Sequence, residues 1–164
     1  MSSLDRLEGY LREHHASFQM QRHHRTVTAG ETAASEHIPP QMLTKVVMIV
    51  ADEQLVMLAV PASARVDLTR VAAALDAGNV RLAAEYEFAH IFSDCEVGAM
   101  PPFGNLYHLP VCVDRQLAQD DVIVVPAGTH TETISIEYQD FARLVRPVVA
   151  DLTYGHALAL IPAG

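Results

Sequence analysis

The sequence predicts one α/β domain of the α+β kind spanning residues 1–164, with a central mixed, largely antiparallel sheet surrounded by helices. Three observations predict it. A chain of 164 residues that is 50% hydrophobic has the size and composition of one domain around a single sizeable core. Residues 45–60 read as two apolar, β-rich runs joined by a short polar turn, the pattern of an antiparallel hairpin. Helical and strand patterns do not alternate evenly along the chain, which speaks against a doubly wound parallel sheet.

The elements follow from local pattern. Leu4, Leu7 and Leu11 recur at three and four residues with Tyr10 beside them, so a short amphipathic helix opens the chain, capped by Ser2 or Ser3 and slightly weakened by Gly9. Phe18 and Met20 alternate with Gln19 and Gln21 as a short strand does. Thr28 followed by Glu31 has the spacing of a capping box and opens the helix ETAASEH, which Pro39 and Pro40 close. The run from Lys45 to Ala51 turns at Asp52 and Glu53 and returns from Leu55 to Val60. Neither segment alternates, so both faces are expected to be covered and the strands to lie inside a sheet.

After Pro61, Asp67 caps a helix whose Leu68, Val71, Ala72 and Leu75 share one stripe, with Gly78 and Asn79 as its stop. A short segment from Val80 to Ala83 precedes AEYEFAHIF, read as a helix ending before Asp94. Leu109 to Val113 and Val122 to Val125 are strands joined by a polar connection containing Asp114. Thr131 to Glu137 alternates with only part of one face apolar, which places it nearer an edge, and Tyr138 to Val145 reads as a closing helix ahead of Pro147. The apolar stretch from Val148 to Gly164 has no clear period, and its ALALIPAG reads as a final strand, a frayed end or a contact with another copy.

Composition narrows the function classes. A formal charge of −9 argues against a broad phosphate-tracking surface, because such binding needs many cationic side chains releasing counterions. A local basic mouth stays open: Arg12, Arg22 and Arg25 lie early among His14, His15, His23 and His24, either as an RNA-end contact or as a solvated face. Cys95 and Cys112 are too far apart for a CxxC unit, and with no basic leader ahead of an apolar stretch both are expected to stay thiols in a reducing cytoplasm. No apolar run approaches the roughly 20 residues that span a bilayer. Among His14, His15, His23, His24 and His37 there is no HExxH, and the chain has no GxSxG elbow, GxxxxGK[ST] loop or GxGxxG turn. Metal chemistry, hydride transfer and nucleotide hydrolysis therefore have little support, and no cofactor is expected.

One stretch and one lysine stand out. In GAMPPFG, Gly98 to Gly104, the two prolines fix φ and remove two donors, leaving a stiff loop whose remaining amides can point at a ligand. Gly98 and Gly104 admit positive φ or a close approach to the backbone. Lys45 heads the run VVMIV, which can hold its base still while the stem carries an ammonium into a cavity. The plainer readings are a proline-rich turn and a strand-end charge.

With TAGETAA at Thr28 to Ala34, TKVVMIV around Lys45, GAMPPFG at Gly98 to Gly104 and AGTHTETISIEYQDFARLV at Ala127 to Val145, in that order and spacing, most of the chain resembles the YbaK-like aminoacyl-tRNA deacylases, also called the prolyl-tRNA synthetase associated domain. The resemblance implies the YbaK-like fold and a cytoplasmic trans-editing hydrolase that cuts the ester joining a wrong amino acid to tRNA, and the stiffness of the two adjacent prolines points to a small one. The resemblance implies no metal, no cofactor and no covalent enzyme intermediate, with the aminoacyl-tRNA 3′ end, and an aminoacyl-tRNA synthetase, as partners. The ester is activated and the terminal adenosine supplies a neighbouring hydroxyl, so positioning a water and stabilising the oxyanion suffice.

In the same resemblance Lys45 holds the terminal phosphate or nearby ribose oxygens, and the amides around Gly98, Ala99 and Met100 face the carbonyl or the amino-acid end. Pro101 and Pro102 give shape only, and with Met100, Phe103 and Gly104 they form a small side-chain pocket. His130, after the Gly128 turn, orients water or a ribose hydroxyl or is hydrogen-bonded locally. Asp114 binds the α-ammonium or caps the following turn, and Thr28 touches substrate or is only half of a capping pair with Glu31. The second proline departs from the PFG pattern of some members, leaving the size of amino acid admitted open. A catalytically silent tRNA-end or protein-binding module of the same fold is the alternative, and a monomer and a weak homodimer both stay open.

Overall fold

The computed structural model describes residues 2–22 and 43–154. The TAGE capping pair of Thr28 and Glu31, the helix after it, Pro39 and Pro40, Arg25, His23, His24, His37 and the ALALIPAG stretch lie outside the described residues.

Helix α1 (Ser3–Glu13) begins at Ser2, whose hydroxyl accepts from the Asp5 amide at 3.1 Å while the Asp5 carboxylate accepts from the Ser2 amide at 3.4 Å. This reciprocal pair satisfies two of the donors a helix start leaves open. Leu4, Leu7 and Leu11 form its buried stripe. Strand β1 (Phe18–Arg22) follows, and β2 (Thr44–Ala51) and β3 (Gln54–Pro61) make the expected antiparallel hairpin. Asp52 and Glu53 at its tip have φ of 47° and 73°, the left-handed pair that a tight two-residue hairpin requires. The Asp52 carboxylate accepts from the amides of Gly78 and Asn79, tying this tip to the next strand.

Asp67 caps α2 (Leu68–Leu75) through the Thr69 amide at 3.0 Å. The helix ends earlier than its glycine stop suggests, because Asp76 itself takes the left-handed cap with φ of 51°. After β4 (Val80–Leu82), the helix expected over AEYEFAHIF is one turn only, α3 (Glu85–Phe88). Beyond it Ile91 and Cys95 donate back three residues, to Phe88 and Phe92, in tight turns that bring both phenylalanine rings into the core. A 3₁₀ turn (Gly104–Leu106), β5 (Val111–Asp114), α4 (Arg115–Ala118), β6 (Val122–Pro126), β7 (Glu132–Glu137), α5 (Tyr138–Val145) and β8 (Val148–Ala150) complete the described chain.

The strands form a five-stranded sheet in the order β4-β2-β3-β5-β8 and a three-stranded sheet in the order β1-β7-β6. Pairing is antiparallel except for β3 with β5 and β5 with β8. A parallel bridge from Leu43 to Val124 joins the two sheets beside the head of β2. The expected mixed, largely antiparallel α/β domain is therefore present, with β2 interior between β4 and β3. Strand β7 corrects its expected edge position: it is the centre of the three-stranded sheet. Its polar residues misled the pattern because they are internally satisfied, Glu132 by Arg22 at 3.3 Å and by the Thr129 hydroxyl at 2.9 Å, while Ile134 and Ile136 are buried.

One large core joins α1, Met48, Met57, Val111, Val113, Ile134, Ile136 and Phe141. A smaller one on the other face of the five-stranded sheet joins Ile49, Val56, Leu58, Val60, Cys112 and Val71 of α2. Covered on both faces, β2 and β3 had no polar side to show in the sequence. Among the described residues no helix is long and apolar enough to cross a membrane.

Candidate functional site

Residues 127–130, where β6 runs out, press against residues 96–99. Four hydrogen bonds cross between them: Glu96 N to Gly128 O at 2.7 Å, Gly128 N to Ala99 O at 2.8 Å, His130 N to Glu96 Oε1 at 2.7 Å, and His130 Nε2 to Val97 O at 2.8 Å. A carbonyl only accepts, so the ring donates from Nε2, and in the neutral ring Nδ1 is then the basic nitrogen. Gly98 has φ of 87°, and a Cβ there would stand 3.4 Å from His130 Cε1. Gly128, with φ of 105°, is backed by α1 so closely that a Cβ would lie 2.6 Å from Ser3 Oγ. Both glycines are thus required by backbone conformation, and Gly128 also by packing.

Lys45 stands at the head of β2. Val46 and Met48 pack with the larger core and Val47 and Ile49 with the smaller, so strand alternation turns Lys45 toward the rim of the smaller one. The Leu43–Val124 bridge sets β2 and β6 side by side and parallel, with Lys45 and Pro126 each two residues beyond it. Pro126 lies between the core residues Val125 and Ala127 and so faces away from the larger core, like Lys45. The Lys45 ammonium has no ion-pair or hydrogen-bond partner among the described residues, and partial burial holds its pKa below the ordinary 10.5 by desolvation. Lys45 is also the only lysine of the chain.

The rest of the glycine and proline loop is placed differently from the sequence expectation of a side-chain pocket. Ala99, Met100, Pro101, Pro102, Phe103 and Gly104 are all buried, and Gly98 is the exposed member. Met100 and Phe103 belong to the larger core, Phe103 with its ring centroid 5.4 Å from that of Phe141. Gly104 has no positive φ; a Cβ would stand 2.4 Å from Leu109 O, so its glycine serves a backbone approach within the chain and not a ligand. Of the amides expected to face substrate, Gly98 N donates to Met100 Sδ at 3.3 Å and Ala99 N to Glu96 O at 3.0 Å. The amide of Met100 makes no hydrogen bond among the described residues.

Asp114 takes the capping alternative. It is buried, and its carboxylate accepts from Gln116 N at 3.1 Å, Leu152 N at 2.9 Å and Thr153 Oγ1 at 3.5 Å. The connection it starts is the short helix α4. Thr28 lies outside the described residues. Of the early basic residues, Arg12 pairs with Glu8 at 3.1 Å, and Arg22 pairs with Glu132 behind the His130 loop. The described residues hold no group of three or more metal-ligating side chains. Sequence reasoning missed Glu96, because a lone acid ahead of a loop carries no signature until the loop it meets is known.

The family model of the aminoacyl-tRNA editing domain matches residues 23–144. The fold is similar to a crystal structure of a proposed trans-editing enzyme for prolyl tRNA synthetase, with a TM-score of 0.80 and 22% identity over 94% of this chain and 99% of that one. It is similar to the hypothetical protein APE2540, with a TM-score of 0.81 and 17% identity over 90% of this chain and 99% of that one. It is also similar to a protein from a study of epitope backbone grafting onto scaffold proteins, with a TM-score of 0.79 and 20% identity over 94% and 99%. At these identities the three likenesses show the fold alone. Comparison with curated protein sequences returned no match.

Proposed function

The chain belongs to the aminoacyl-tRNA editing domain family, and on that premise we propose that it is a trans-editing deacylase, hydrolysing the ester that holds a wrong, small amino acid on tRNA. The observation that carries the reading is Lys45: a partly buried cation, without a partner among the described residues, beside the strand whose exit clasps Gly98. Desolvating a charge that nothing neutralises is unfavourable, so such a group is a candidate for a ligand of opposite charge. The terminal phosphate of tRNA supplies that charge.

In this reading Lys45 anchors the last nucleotide and the ester carbonyl sits over Gly98. The Met100 amide, joined by the Gly98 amide once it leaves the weakly accepting thioether, stabilises the oxyanion. His130 orients the attacking water or the neighbouring ribose hydroxyl through its ring. The amino acid is small because Pro101 and Pro102 stiffen the loop and the His130 ring stands close over Gly98, 3.4 Å from where a Cβ would lie. The partners are the aminoacyl-tRNA 3′ end and the synthetase whose errors are corrected, in the cytoplasm.

A screen of the purified protein against tRNAs charged with alanine, serine, threonine and cysteine tests this. Single-turnover hydrolysis faster than the spontaneous rate for at least one of them is expected. Binding to charged tRNA with no acceleration for any would replace the deacylase with the silent tRNA-end module.

A further inference from the structure

We propose that Glu96 is a positioning residue of this site, the acid that sets the backbone of His130 and through it the aim of the ring; the proposal rests on the deacylase reading. Glu96 bonds twice across the two loops and once within its own. Its amide donates to Gly128 O at 2.7 Å, its carbonyl accepts from Ala99 N at 3.0 Å, and its carboxylate accepts from His130 N at 2.7 Å. The first two belong to the backbone and are open to alanine and glutamine as well. Only the third depends on the side chain, and it falls on the residue whose ring faces Gly98.

The bond to a carboxylate is short and charge-assisted, stronger than a neutral acceptor would give. It fixes the His130 backbone, while Nε2 to Val97 O at 2.8 Å fixes the far end of the same residue. With both ends held, the ring has one direction. Releasing the backbone end lets it swing about the other, and a displacement near 1 Å costs about a hundredfold in rate for groups that act by position. Glu96 is only half-buried, so truncating it leaves no core cavity and the fold is kept.

The test compares wild type, Glu96→Ala and Glu96→Gln. Single-turnover hydrolysis gives the saturating rate and the half-saturating protein concentration, and NMR gives hydrogen exchange of the His130 amide and the shift of its ring Cε1–H. Glu96→Ala is expected to lower the saturating rate about a hundredfold with little change in the half-saturating concentration, and to speed exchange of the His130 amide. Glu96→Gln keeps an acceptor oxygen and is expected to recover most of the rate and the slow exchange. Wild-type rates in Glu96→Ala, or a Glu96→Gln as impaired as alanine, would overturn the role. If the wild type hydrolyses no charged tRNA, the deacylase reading falls by itself. Exchange and ring shift then still decide on Glu96: unchanged signals in Glu96→Ala overturn the proposal, and altered ones uphold the positioning.

Discussion

Met100→Ala separates a core role from a selecting one. The Met100 side chain is buried in the larger core, and its sulfur accepts from the Gly98 amide at 3.3 Å. Alanine removes three heavy atoms beyond Cβ and leaves the space they filled. The lost transfer energy and the residual cavity together destabilise by about 3 kcal/mol, inside the range for buried Met→Ala changes. For a chain of 164 residues that lowers the thermal midpoint by roughly 6–12 °C. Because the side chain points into the core, the ranking of alanyl-, seryl-, cysteinyl- and leucyl-tRNA in single-turnover hydrolysis should stay as in wild type at temperatures well below that midpoint. Thermal unfolding by circular dichroism and the four rates are measured on the same preparations. A midpoint within about 2 °C of wild type, together with a relative gain for leucyl-tRNA, would refute the core placement and make Met100 a wall of the pocket.

Lys45→Ala should abolish hydrolysis while leaving the circular dichroism spectrum unchanged, and Lys45→Arg should not restore it, since the guanidinium differs in reach and geometry; normal rates in the folded alanine variant would remove Lys45 from the site. As the sole lysine, Lys45 can be labelled by reductive ¹³C-methylation and followed by NMR, where it should titrate below the same methylated lysine in the unfolded chain. For the native lysine, between that lowered value and 10.5 the unfolded chain binds more protons, so the penalty of the buried charge, full below this window, fades and stability rises with pH across it; a labelled Lys45 that titrates at or above its unfolded value contradicts the burial. Gly98→Ala places an L residue at φ of 87° and a methyl 3.4 Å from His130 Cε1, so it should destabilise by about 1–2 kcal/mol and slow hydrolysis beyond what that loss explains. Wild-type rates in that variant would show that the space beside the ring is not used. Asp114→Ala strips the acceptor from two amides and a hydroxyl and should destabilise by about 3 kcal/mol with hydrolysis kept at low temperature; lost activity at an unchanged midpoint would restore the α-ammonium role.

Much of the fold was legible because its signals are local. The leucine stripe of α1, the Asp67 cap of α2 and the two apolar runs of the β2–β3 hairpin each depend on neighbours within a few residues. Other features were decided by partners far along the chain. Strand β7 looked like an edge because Glu132 and Thr133 are polar, yet β1 and β6 flank it and Arg22, over a hundred residues away, meets Glu132. For Asp114 the sequence left both an ammonium contact and a cap open, and the contacts of Leu152 and Thr153 with its carboxylate are visible only in the fold. The one-turn α3 follows from Phe92 being drawn into the core beside Tyr107, ring centroids 4.5 Å apart, in place of continuing a helical stripe.

At the site the division is sharper. By itself the sequence determined that a lone lysine heads an apolar strand, and that a loop of two glycines and two prolines is stiff, because φ restrictions and side-chain reach are properties of the residues themselves. Only the tertiary structure decided that Gly98 faces His130 while Met100 and Phe103 turn inward, and that Gly104 is small for the sake of Leu109. It alone brought Glu96 to the His130 amide. A loop's stiffness is set by its own covalent geometry, but which of its faces meets a partner depends on strand pairing between distant segments, whose order no local pattern records.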